Sequence, residues 1–160
     1  MGRFRRLCQE HRDRIYTFAF YYMGNREDAE DITQEVLFRL WHHGLRMDDE
    51  SVAAWLTRVA RNACLDALRQ RHRYRSVVST QDPEPILQRT SAVEAGDVDL
   101  RRQLEAALTR LESPLREIVI MREIQGFSYR EISQSLKLPL NTVKVYLHRG
   151  RRRLRVLLQE

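Results

Sequence analysis

Five acidic side chains crowd one short stretch: Glu27, Asp28, Glu30, Asp31 and Glu35. Carboxylates hold hard cations, so a metal-dependent nuclease is one chemistry they could serve. At helical spacing residues 27, 31 and 35 share a face. No second carboxylate set of matching spacing accompanies them, and no nucleophile–base pair stands out. A solvated or partner-binding face is therefore the better reading. Cys8 with His11, and His42 with His43, are lone pairs of potential ligands without a complement, and read as surface residues. No glycine-rich phosphate loop is found. Neither a cofactor nor a metal is expected, and the chain does not read as an enzyme.

The second chemical signal is basic. The chain of 160 residues carries 28 Lys and Arg against 22 Asp and Glu, a net charge of +6. Residues 128–160 contain eight basic and two acidic side chains, so this last fifth has as large an excess as the whole. If residues 140–158 form a helix, Val143, Leu147, Gly150 and Leu154 fall on one side at about 100° per residue. Asn141, Val145, His148, Arg149 and Arg152 fall on the opposite side. That face offers several donors and one apolar contact, which is what base edges in a major groove require. Lys144, Arg151, Arg153 and Arg155 lie on the flanks and suit phosphates. A merely solvated amphipathic helix is the alternative, and for Asn141 alone so is a helix cap.

Elements must position these groups. Ser128-Tyr-Arg-Glu131 is a capping box that opens a short helix burying Ile132 and Leu136. A break at Lys137-Leu138-Pro139 separates it from the basic helix. Short capped helix, break and longer basic helix make the layout of a helix-turn-helix. Upstream, Leu100, Leu104, Leu108 and Leu111 form one stripe, and Ser113-Pro114 starts a further helix, with the proline at its first position, that ends near Gly126. The N-terminal part reads as three helices. Residues 4–23 place Leu7, Ile15, Phe18, Ala19 and Tyr22 together. Asn25 caps a second helix with the stripe Ala29, Ile32, Val36, Leu37 and Leu40. A third runs to about Arg73 on Trp55, Leu56, Val59, Ala60, Ala63, Ala67 and Leu68, with arginines on its other faces. Arg61-Asn62 and a basic tail ending in Tyr74 are chemistry that can hold unstacked bases. Trp55 lies on the stripe and reads as core.

The expected fold class is therefore all-α, with two small helical domains. Residues 1–75 and 99–160 are the domains, and 76–98, acidic and proline-containing, read as a flexible linker. No apolar run reaches the ~20 residues of a membrane span. The N-terminus lacks the apolar core of a secretory signal. Two cysteines, Cys8 and Cys64, make no disulfide framework, so a cytoplasmic location is expected.

Residues 28–41 (DAEDITQEVLFRLW) resemble conserved region 2.1–2.2 of the extracytoplasmic-function, or group IV, sigma factors. Residues 55–69 (WLTRVARNACLDALR) resemble their regions 2.3–2.4. Leu111 to Leu158, with Arg116-Glu-Ile-Val, Gly126-Phe-Ser-Tyr-Arg-Glu-Ile, Asn141-Thr-Val-Lys and His148-Arg149, resembles region 4. The resemblance implies an initiation subunit of bacterial RNA polymerase that directs promoter-specific transcription. It implies that Asp28, Asp31, Gln34, Glu35 and Phe38 meet the clamp helices of the largest polymerase subunit, while the second domain meets the flap of the other large subunit. It implies that Trp55, Arg58, Arg61, Asn62 and Arg69 hold the melted −10 strand. It implies that Asn141, Thr142, Lys144, Val145, His148, Arg149, Arg151 and Arg152 meet the −35 duplex. An anti-sigma factor is a further implied partner. Val145 stands where many members have serine, Tyr146 where many have arginine, and Lys137 where glycine is usual; these departures bear on the −35 sequence read rather than on the fold.

Overall fold

A computed structural model describes residues 2–77 and 97–160. Among the described residues seven α-helices follow in order: α1 (Gly2–Met23), α2 (Arg26–Arg39), α3 (Asp49–Val77), α4 (Asp97–Thr109), α5 (Leu115–Val119), α6 (Tyr129–Leu136) and α7 (Leu140–Gln159). No strand occurs among the described residues. α2 and α5 each run on into a π-helical turn, Leu40–Gly44 and Ile120–Ile124. The all-α reading holds. Of the flexible linker read over 76–98, residues 76–77 instead continue α3 and 97–98 open α4, while 78–96 lie outside the described residues.

Local chemistry sets the boundaries. Gly24 takes a positive φ of 82° to end α1, and the Asn25 side chain accepts the Asp28 N–H at 2.8 Å to start α2. The Asp48 carboxylate accepts the Ser51 N–H at 2.7 Å at the start of α3, and this hydrogen bond holds its carboxyl below the ordinary range. Pro114 sits at the cap, not inside the helix; its ψ of 6° leaves helical geometry to begin at Leu115. The capping box at α6 is complete: Ser128 and Glu131 each bond the other's backbone N–H, both at 3.0 Å.

In the first half α1, α2 and α3 bury Leu7, Phe18, Tyr22, Ile32, Val36 and Leu56 against one another. In the second, α5, α6 and α7 bury Ile118, Val119, Ile132, Val143 and Leu147. Cys64 of α3 is buried in the first half, and burial pushes its thiol up, out of reach of ordinary thiolate chemistry.

The halves also pack on each other, which periodicity did not foretell. Their buried apolar residues form one continuous cluster. Across the seam the Arg116 guanidinium donates to the Tyr22 carbonyl at 3.1 Å and stacks over the Tyr22 ring at 4.8 Å. Gln125 donates to the Arg14 carbonyl at 2.9 Å, and Arg14 lies over the Phe127 ring at 5.1 Å. A stripe of apolar residues says which face of a helix is covered, not which neighbour covers it.

Candidate nucleic-acid interface

α6 and α7 form the helix-turn-helix. The chain turns between them because Lys137 adopts a left-handed conformation, φ 56° and ψ 46°, where glycine is the easier residue. Its N–H and that of Leu138 both bond the Ser133 carbonyl, and the Ser133 hydroxyl donates to the Leu138 carbonyl at 2.5 Å. The turn is thus closed by three hydrogen bonds. Pro139 then caps α7 without a side-chain hydrogen bond, and Asn141 stands exposed in the first turn.

The inner face of α7 is fixed by Val143, Leu147, Gly150 and Leu157. Gly150 is required by contact: a Cβ there would lie 2.6 Å from Val119 Cγ2 and 3.6 Å from the Leu115 carbonyl oxygen. This seats α7 directly on α5. The outer face is what the sequence expectation named. Asn141, Lys144, Val145, His148, Arg149, Arg151 and Arg152 are exposed, and Thr142 is half-buried beside them. Three of the cations have partners. Lys144 Nζ lies 5.8 Å from the Tyr129 ring centre, and Arg122 covers the same ring at 4.6 Å. Arg151 pairs with Glu123. Arg149 stands 5.9 Å from the Tyr146 ring.

On α3 the expected residues part company. Asn62 and Arg69 are exposed. Arg58 and Arg61 instead face the second half: Arg58 Nε donates to the Ser135 carbonyl at 3.1 Å, and Arg61 Nε donates to Glu117 Oε2 at 2.8 Å. Trp55 packs near Gly44, whose Cβ would stand 3.1 Å from the indole ring. It is half-buried at the edge of the core.

The acidic face of α2 is exposed at Glu27, Asp31, Gln34 and Glu35, with Glu35 paired to Arg39 at 2.9 Å. Asp28 is used internally, bonded to Asn25 and paired with Arg71 of α3. Phe38 stands 64% exposed beside this face, its ring 4.3 Å from that of His42. Next to it Trp41 is 45% exposed and meets Phe4 edge-on at 5.0 Å. Phe4 and Trp41 were not singled out in the sequence. The signal was Trp41 three residues after Phe38, one helical turn along the same face. Among the described residues no group of His, Cys, Asp or Glu could hold a metal ion, and no helix is long and apolar enough to cross a membrane.

Residues 7–74 match the family Sigma-70 region 2, and residues 101–154 match Sigma-70, region 4. The chain is 32% identical over 158 residues to the ECF RNA polymerase sigma factor SigL of Mycobacterium tuberculosis, covering 98% of this chain and 89% of that one. This chain belongs to the extracytoplasmic-function sigma factors. The sigma factor is also 35% identical over 151 residues to SigE of Mycolicibacterium smegmatis, covering 93% of itself but only 59% of that longer relative. Its fold matches that of the sigma factor RpoE from Bartonella quintana, solved with the anti-sigma factor NepR, at a TM-score of 0.73 and 24% identity over 99% of this chain and 98% of that chain. CnrH, solved with the cytosolic domain of CnrY, matches at a TM-score of 0.69 and 23% identity over 98% of this chain and 87% of that chain. The general role of this sigma factor is promoter-specific transcription initiation with RNA polymerase.

Proposed function

We propose that this sigma factor reads a promoter at two places while held on core RNA polymerase. The outer face of α7 meets the −35 element as duplex. Arg149, His148 and Asn141 supply donors to base edges, Val145 an apolar contact, and Lys144, Arg151, Arg152 and Thr142 contacts to the backbone. Asn62 and Arg61 of α3, with Arg58 and Arg69 beside them and Trp55 behind, hold the −10 strand once it is displaced. The acidic face of α2, with Asp31, Gln34, Glu35 and Phe38, docks on basic groups of the polymerase clamp helices, and the second helical domain, residues 99–160, docks on the flap. Residues 1–75 form the first domain. An anti-sigma factor covers these surfaces when the protein is idle, and the protein works in the cytoplasm.

Binding energy has to supply promoter melting. Each captured base returns about 1–3 kcal/mol of stacking, similar to the ~1.4 kcal/mol of a DNA stacking step. Duplex and polymerase contacts supply the rest. Joining two readers on one chain raises the effective concentration of each.

The observation that carries this reading is the solvent-facing row of donors on α7, seated on a closed helix-turn-helix. Its test is to mix the chain with core polymerase and a promoter library and to sequence the transcripts. Specific initiation is expected; a repressor would give none. Asn62→Ala is expected to keep closed-complex binding and to lose permanganate reactivity of promoter thymines. Unchanged reactivity would remove the −10 assignment.

A further inference from the structure

Two cations share one aromatic ring beside the outer face of α7. The Arg122 guanidinium lies 4.6 Å from the centre of the Tyr129 ring and Lys144 Nζ lies 5.8 Å from it, both within reach of a cation–π attraction. The two differ in freedom. Arg122 is half-buried, and its Nη1 donates to the Phe127 carbonyl at 2.9 Å. Lys144 is exposed and has no ion pair among the described residues. The ring is half-buried at the first position of α6, where the Ser128–Glu131 capping box fixes the backbone that carries it. Measured round α7 from the inward Val143, Lys144 and Arg151 fall at about 100° and 80°, on one flank between the buried face and the row of donors. Both are tied to the stretch that leads into α6, Arg151 to Glu123 and Lys144 to Tyr129. A free lysine, on its flexible four-carbon stem, would sweep over base edges and backbone alike.

We propose that Tyr129 is a positioning residue for duplex recognition. Its ring holds the Lys144 ammonium on the α6 flank of α7, where it meets a backbone phosphate, and away from the base edges left to Asn141, His148 and Arg149. This rests on the −35 reading of α7. Arg122 makes the ring necessary. It is anchored by the Phe127 carbonyl, so its charge is a standing repulsion to Lys144 that the electron-rich ring face offsets. Without the ring, that repulsion drives Lys144 off the flank. A lysine already in place gives up less side-chain freedom when DNA arrives, so the ring raises affinity without touching DNA. The ammonium has three protons, so it keeps its ring while donating to a phosphate oxygen.

The test uses holoenzyme reconstituted from the full chain and a fluorescein-labelled promoter duplex recovered from the library above. Fluorescence anisotropy reads closed-complex affinity across a salt series. Tyr129→Leu is expected to weaken binding about threefold. Tyr129→Phe keeps the ring, drops the hydroxyl and is expected to bind as the parent does. In a Lys144→Ala background Tyr129→Leu is expected to add nothing, because it acts through that side chain. Tyr129→Gln takes the place of Tyr129→Leu if the latter fails to fold. Equal weakening with and without Lys144, the result a merely structural ring would give, overturns the inference. So does unchanged affinity of Tyr129→Leu, or a Tyr129→Phe variant as weak as Tyr129→Leu. The underlying reading has its own arm: Lys144→Ala is expected to flatten the slope of log affinity against log salt by about 0.9. An unchanged slope takes Lys144 off the backbone and overturns that reading together with the inference. A flattened slope with no effect of Tyr129→Leu overturns the inference alone.

Discussion

Lys137 is the one residue other than glycine with a positive φ among the described residues. A left-handed backbone costs an L-residue about 1–2 kcal/mol, and glycine gives part of that back as unfolded-state entropy. Lys137→Gly is therefore expected to raise unfolding free energy by about 0.5–1 kcal/mol, read from denaturant titration. Its backbone hydrogen bonds at the turn should survive. The sequence flagged Lys137 as a departure from the usual glycine, and the geometry shows that the departure changed the residue but not the turn. The face of α7 was equally legible, since residue type and the 100° step together decide what points outward. Arg149→Ala is expected to weaken −35 binding while leaving the melting temperature within a degree or so, because the side chain is exposed and, among the described residues, touches only the Tyr146 ring. Uniform weakening on all DNA sequences would reduce Arg149 to a phosphate contact. The partnering of Arg58 and Arg61 could not be read, because a basic side chain on a helix carries no mark of which distant carbonyl or carboxylate it will meet.

At the scale of elements, α5 and α7 depend on one missing methyl. Gly150→Ala gains about 1 kcal/mol in helix propensity. It also drives a Cβ to within 2.6 Å of the stiff Val119 side chain. Overpacking of this kind costs about 1–3 kcal/mol. A net loss of stability is expected, and Val119→Ala in the same chain should relieve part of it, so the double mutant will be less damaged than the sum of the singles. Failure of that coupling in denaturant melts would disprove the close approach. His11, on α1 against α3, gives a pH prediction. Burial, with Arg14 next, lowers its pKa below the ordinary 6.5. The folded state therefore prefers neutral imidazole, and the unfolded state binds more protons as pH falls below about 6.5. The melting temperature should be highest above pH 6.5 and fall as pH drops toward the folded pKa, and His11→Gln should flatten that slope. The helices themselves and their caps were visible from three- and four-residue spacing. The two π-helical turns were not, because a run of five residues is too short to tell a π-helical period from an α-helical one.

At the scale of the molecule, Arg116 is one of the side chains that join the halves. Burial lowers the pKa of its guanidinium. It donates to the carbonyls of Leu111 at 2.9 Å and Tyr22 at 3.1 Å, and also to that of Thr109. Arg116→Ala leaves these carbonyls short of donors and is expected to cost about 2–4 kcal/mol. In calorimetry one transition should become two, as each half then melts by its own core. Two helical blocks were legible because each carries its own stripes. Their common interior was not, because no local pattern encodes a contact ninety residues away. The ring of Tyr22 under Arg116 has a consequence for exchange between relatives. A graft of residues 101–154 that brings no cation to position 116 would leave the Tyr22 ring and carbonyl uncovered. Such a chimera should initiate poorly even when both parents are active, and restoring arginine at that position should recover it.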